Sequence, residues 1–304
     1  MESFYKKVLD LSFVAQVIVI LAYLYPLPHL PPLALTALPA AVTAFVVIMD
    51  LAYDARPQAR FVILFVLNYG TYLVVGYVLT SQFYEQARLE QIRHQFQATM
   101  VEKPTVGCAL FAASLLCADY FSWLVHYVFH KAHARWSSVF FFTHLVHHSM
   151  TEMRLLGVRH NALGVFTALV PTWIALTLLG SNPNGEAATA FMGLIAQLAL
   201  NAILTPFQHC EFTTVLARKL KLAIGSFHAA HHDDARGGGA YHYSVGVFSF
   251  WDDLMGTAMP TSQTVYPEYG RLGVRYSGQR KSGLQAYLEA QLRPLKDYLN
   301  RIRS

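Results

Sequence analysis

Twelve of the chain's fourteen histidines fall between His126 and His242, and their spacing is what could do chemistry. His126 and His130 stand four residues apart, His144-Leu-Val-His147-His148 forms a triplet, and His228-Ala-Ala-His231-His232 repeats that triplet downstream. On a helix, positions three and four apart share a face, so each group presents its imidazoles in one direction. Three such groups converging make a cage for metal. A tetrahedral zinc takes about four ligands, and these three groups supply eight rings, enough for two ions. Imidazole serves iron, zinc and copper alike. The pattern predicts a two-metal site, with two iron ions (non-haem di-iron) as the preferred pair. His209, in Gln208-His209-Cys210-Glu211, is a candidate ninth ligand. His133 and His160 lie near the groups but outside the spacing, which places them beside the site or on the surface. The spacing assigns no role to His242.

Metal-bound imidazoles usually hand their second N–H to a carboxylate, a carbonyl or water. Asp119, Asn161, Asp233, Asp234, Asp252 and Asp253 are candidates for that task. Asp119, Asn161, Asp233 and Asp252 are taken as working residues of the site. Asp119 precedes His126 by two helical turns on the same face and is expected to orient a ligand ring. An ionisable group inside an apolar run defaults to a functional reading.

The elements that must position these residues are apolar. The 304-residue chain is 54% hydrophobic and 13% charged, against roughly 25% charge in an average soluble protein. The apolar residues come in long runs, at 8–25, 33–53, 61–79, 106–129, 162–179 and 187–204, each near the roughly 20 residues that cross a bilayer. The fold expected is all-α, a multi-pass transmembrane helix bundle with a cytoplasmic histidine-rich di-metal cap. Proline-rich 26–32 and the Gly180-Ser-Asn-Pro-Asn-Gly185 connection break the helices on either side, and neither holds Lys or Arg. Lys6, Lys7, Arg56, Arg60, Lys131, Arg135, Arg154, Arg159, Arg218, Lys219 and Lys221 then fall on one side, the cytoplasmic one by the positive-inside rule. All three histidine groups share that side. Residues 81–105 read as an outer loop, with His94 on it and His29 also on the outer side. The end, 284–302, reads as an exposed amphipathic helix on the membrane surface. Three parts follow: N-terminal transmembrane helices at 1–105, a catalytic domain at 106–260 and a cytoplasmic tail at 261–304.

Cys108, Cys117 and Cys210 show no paired spacing and read as small buried hydrophobes. The net charge of +5 lies near the ends of apolar runs, and no basic cluster with interleaved aromatics points to nucleic acid as a partner. The triple glycine at 237–239 lacks the spacing of a nucleotide-binding loop and reads as a loop over the site.

The pattern Asp119…His126-x3-His130…His144-x2-His147-His148…Arg159-His160…His209…His228-x2-His231-His232…Trp251-Asp252-x3-Gly256-Thr257 resembles the fatty acid hydroxylase superfamily, which includes sterol desaturases. The likeness covers about residues 115–260. It implies O2-dependent, di-iron hydroxylation or desaturation of a sterol or fatty acyl lipid. It also implies a separate electron donor of cytochrome b5 or ferredoxin type, since no fused electron-transfer domain is recognisable. The membrane would be the endoplasmic reticulum in a eukaryote and the inner membrane in a bacterium. Departures from the family pattern are Tyr127 after His126, a long spacer from Trp136 to His144, and Tyr241-His242-Tyr243 before the tryptophan. The rival readings are a membrane zinc-dependent hydrolase and a divalent-metal transporter. A carrier places its ligands at mid-membrane or in a loose histidine-rich loop, whereas these sit at helix ends with fixed spacing.

Overall fold

The structure is a computed structural model and describes residues 86–134, 136–148, 161–208, 219–232, 239–260 and 283–304, with isolated helical residues between 63 and 70. The chain order is α1 (Gln86–Glu102), α2 (Pro104–Lys131), α3 (Ser138–His148), α4 (Ala162–Ser181), α5 (Gly185–Gln208), α6 (Ser226–His231), α7 (Phe250–Met255) and α8 (Gly283–Arg303). Among the described residues there is no strand, and the one isolated bridge pairs Leu222 with Phe248.

The apolar runs at 106–129, 162–179 and 187–204 lie within α2, α4 and α5. Those at 8–25 and 33–53 lie outside the described residues, as does most of that at 61–79. Helices α2 and α4 are long and apolar enough to cross a membrane. At 1.5 Å per residue, the 28 residues of α2 span about 42 Å, more than the roughly 30 Å hydrocarbon core. Their outward faces carry Val106, Phe121, Val128, Leu163, Phe166, Ile174 and Leu178, all exposed. Such side chains suit a lipid surround. Pro104 opens α2, where its missing N–H costs no helical bond. Asn161 caps α4 by accepting from the backbone N–H groups of Leu163 and Gly164 at 2.9 and 3.2 Å.

Residues 81–105, expected as an outer loop, contain helix α1. Between Gln86 and Glu102 there is no glycine or proline to stop a helix, and Ile92, Phe96 and Thr99 bury one stripe of it. The many charges disguise that stripe in the sequence. Ile92 and Phe96 enter a core with Ala118 of α2, Leu176 of α4 and Ala188, Phe191, Met192, Leu194 and Ala196 of α5. Small residues let these helices close up, as in membrane bundles. A methyl group on Gly193 would stand 2.6 Å from the Phe111 carbonyl oxygen.

Helix α8 is amphipathic as expected. It docks through Ala286 and Ala290 and leaves Leu284, Leu288, Leu292, Leu295, Leu299 and Ile302 exposed. Its contacts run to α3 and to the start of α4. The Asn161 side-chain amide donates to the Ala290 carbonyl at 2.7 Å, and Gln291 Oε1 accepts from the Ala162 backbone N–H at 2.9 Å.

Candidate metal centre

Helix α2 ends in His126 and His130, one turn apart. Helix α3 ends in His144, His147 and His148, and the short α6 brings His228 and His231, with His232 as its C-cap. The three helix ends meet. Within the structure the rings sort into two groups: His126, His130, His144, His148 and His231 form one, and His147, His228 and His232 form the other. In each group the ligand atoms lie within 4.8 Å of one another. The sequence predicted about four rings per ion, and the split among the described residues is five and three. Adjacent helix positions point about 100° apart, so His147 and His148 serve different groups. The groups adjoin, with the rings of His148 and His232 stacked 4.2 Å apart.

The nitrogens fit a metal. His126 Nε2 lies 2.9 Å from His144 Nε2 and 3.3 Å from His130 Nε2, and His148 Nε2 lies 3.2 Å from both His130 and His144. In the second group His232 Nε2 stands 3.1 Å from His147 Nε2 and 3.2 Å from His228 Nε2. Nitrogens sharing one ion at about 2.1 Å sit about 3.0–3.4 Å apart in octahedral or tetrahedral geometry. The Nδ1–H of His231 donates to the Tyr241 carbonyl at 2.6 Å, while its buried Nε2 has no hydrogen-bond partner. A buried lone pair with nothing to accept is what a cation satisfies.

Two loop carbonyls fix the tautomers. His126 Nδ1–H donates to the Tyr243 carbonyl at 2.7 Å, as His231 does to that of Tyr241. Both Nε2 atoms are thereby left free to bind metal. The carboxylates act one step farther out. Asp252 is fully buried and accepts from the backbone N–H groups of Tyr243 and Ser244 at 2.7 and 2.9 Å. It also accepts from Trp123 Nε1 at 3.1 Å and from the Thr257 hydroxyl at 2.6 Å. Asp119 takes the backbone N–H groups of Val247 and Phe248, Trp251 Nε1 at 2.9 Å, and Gln197 Nε2 at 3.4 Å. Its expected ring partner is thus replaced by the loop that carries Tyr243. Asn161, expected beside a ligand, is the cap of α4 and the tether of α8, although it also lines the cavity next to the histidines.

His209, Asp233, Asp234 and His160 lie outside the described residues. Asp253 forms a surface pair with Lys221 at 2.8 Å. His133 packs against Phe141, with ring centroids 4.9 Å apart, and belongs to neither group. His242 is buried 4.0 Å from the Phe227 ring, with a left-handed backbone (φ 61°), and also belongs to neither. The orienting carbonyls of Tyr241 and Tyr243 were invisible to sequence reasoning, because a backbone oxygen leaves no residue-type signal. Their only trace was the Trp251-Asp252…Gly256-Thr257 close, which folds back to hold them.

Gly239 marks the tightest approach. Its φ is +79°, and a Cβ there would run into the ring of His130. Gly239→Ala is expected to displace that ring and lower metal content in the five-histidine group. Metal analysis of the purified variant checks it, and a wild-type content would contradict the packing.

Burial holds these rings neutral. It is the main force depressing the basicity of His144 and His232, with neighbouring imidazoles adding to it, and it pushes His231 down to about 4. An unfolded histidine titrates near about 6.5, so between that pH and about 4 the unfolded chain binds protons that the folded one refuses. The stability gained from neutral rings is complete above that window and is lost as pH falls through it. The thermal midpoint of metal-stripped protein in detergent is expected to be flat from pH 8 to 6.5 and to fall toward pH 4.5. A midpoint that held steady to pH 4.5 would contradict the burial argument.

A cavity of about 240 Å³ opens onto both groups. His126 and His144 of the first and His147 and His228 of the second form its floor. Val125, Phe129, Val165, Ala168, Leu169 and Leu198 line its apolar walls between α2, α4 and α5.

Residues 111–257 match the family model for fatty acid hydroxylase, a stretch that contains every histidine of both groups. Those residues form a fatty acid hydroxylase domain, and the match supports the resemblance to the fatty acid hydroxylase superfamily. No curated protein and no solved structure matches it.

Proposed function

We propose that the chain is a membrane-embedded, O2-dependent di-iron oxidoreductase that hydroxylates or desaturates a C–H bond of a sterol or fatty acyl lipid. The observation that carries this reading is the cavity: its lining surface is mostly apolar, it lies between helices fit to cross a bilayer, and its floor is made by rings of both histidine groups. Lipid chain entering it would lie against the metal-facing nitrogens with little water between.

His126, His130, His144, His148 and His231 would hold one ion, and His147, His228 and His232 the other, with His209 a candidate to complete either. Bound there, a pair of iron ions would supply the O2 activation and the oxidising power that a C–H bond demands. The protein's share is placement. The Tyr241 and Tyr243 carbonyls hold protons on the Nδ1 atoms of His231 and His126, and Asp252 holds the Tyr243 carbonyl where it is. The apolar wall excludes water and aligns the substrate. Electrons would come from a separate donor of cytochrome b5 or ferredoxin type. In topology the protein is multi-pass with the histidines on the cytoplasmic face, in the endoplasmic reticulum or the bacterial inner membrane, and 106–260 is its catalytic domain.

Lipid extracts of a host with and without the chain, grown with 18O2, test the reading. The expected result is a lipid that gains an 18O label or a double bond only when chain and oxygen are both present. Unchanged lipids, together with protein holding zinc and no iron, would move the assignment to a zinc-dependent hydrolase.

A further inference from the structure

We infer that Asn201 selects the substrate, and that the cavity takes a lipid bearing a hydroxyl or amide group close to the carbon that faces the histidines. This rests on the cavity being the lipid site.

Gln197, Asn201, Thr205 and Gln208 follow one another on α5 in steps of four, four and three, which puts them on one face. Three of them are satisfied. Gln197 donates to Asp119 and to the Ser122 hydroxyl, Thr205 donates to the Asn201 carbonyl, and Gln208 donates to the carbonyls of Val245 and Gly246. Asn201, which lines the cavity, has a buried side-chain oxygen with no partner. A buried polar group left unpaired is costly, and each such group in a folded protein calls for an explanation. Rotating the amide by half a turn exchanges its donor and acceptor ends, so a hydroxyl or an amide can pair with it in either setting. Thr172 of α4 lines the same cavity.

The register of the helices says where that group sits. Gly193 lies against Phe111, Ser114 and Leu115, and Gln197 reaches Ser122 at 3.3 Å, so α2 and α5 run in the same direction. One turn beyond this contact, α2 presents His126 and α5 presents Asn201. The polar anchor is therefore level with the histidine floor. An apolar cavity of about 150 Å³ holds a benzene ring, so one of this volume takes about ten non-hydrogen atoms. That is a segment of a lipid, with its hydrogen-bonding group inside and the rest of the molecule beyond.

The test is ligand retention, which needs no turnover. Purified full-length protein in detergent, its metal content assayed, is offered dodecan-1-ol, dodecanamide or dodecane, and bound ligand is counted by native mass spectrometry. The wild type is expected to retain the alcohol or the amide at least fivefold over the alkane, and whichever is preferred tells the two headgroups apart. Asn201→Leu is expected to bring that ratio close to one, with metal content unchanged and thermal midpoint equal or higher, since the leucine leaves no unpaired group behind. Equal retention of all three by the wild type would overturn the inference, as would a ratio that survives in Asn201→Leu. Asn201→Ala makes the same cut with less bulk; failure of both variants to fold would also overturn it, because the Asn201 side-chain oxygen has no hydrogen bond to lose. Protein without iron that keeps the preference would refute the oxygenase reading and leave this one standing.

Discussion

His147→Ala is expected to remove one of two metal ions from the purified protein and leave the other. His147 and His148 are chain neighbours, yet His147 faces His232 at 3.1 Å while His148 faces His130 and His144 at 3.2 Å. His228→Ala and His232→Ala are expected to empty the same centre, and the double variant His147→Ala/His228→Ala to lose no more than either single one, since residues of one network do not add. His130→Ala and His144→Ala are expected to weaken the other. Turnover falls at least about a hundredfold in all of them, because even the outer partners of metal ligands are worth 10–100-fold. Metal per chain, measured beside activity, checks the assignment. Loss of both ions from every variant would mean a single coupled site and not two.

Asp252→Asn carries the second large effect. The Asp252 carboxylate accepts from Trp123, Tyr243, Ser244 and Thr257, spanning α2 and the loop after α6. An amide of nearly the same shape would aim its NH2 group at donors and leave at least one of them buried without an acceptor. Hydrogen bonds to charged groups are worth about 1.5–3 kcal/mol each, so a loss of at least about 1.5 kcal/mol is expected. On the scale of about 2–4 °C per kcal/mol for domains of 150–250 residues, that is a drop of at least about 3 °C in thermal midpoint. The loop would also release the Tyr243 carbonyl from His126, and metal affinity in the five-histidine group is expected to fall 10–100-fold. Melting curves with and without added metal separate the two losses. An unchanged midpoint would remove Asp252 from the framework.

Much of this architecture is legible in residue types and intervals. Long apolar runs mark α2, α4 and α5, and steps of three and four mark every ring in the two histidine groups. Helix α1 hides because its buried stripe is short and its other faces are charged, so composition there resembles a loop. The roles of Asp119, Asn161 and Asp252 hide for another reason. A buried carboxylate or amide must be satisfied, but its partners here are backbone N–H and C=O groups more than a hundred residues away or across a loop, and nothing in the sequence encodes those pairings. Spacing likewise shows that eight rings converge, and only the packing of α3 against α2 and α6 divides them five and three.

Iron and its neighbours in the purified protein give the most direct test. Two iron ions per chain are expected, with X-ray absorption showing a nitrogen-dominated shell at about 2.0–2.2 Å and no sulfur, and with both ions lost when His144 and His147 are replaced by alanine together. Protein that binds less than one ion per chain, or that keeps its full metal content in that double variant, would contradict the account.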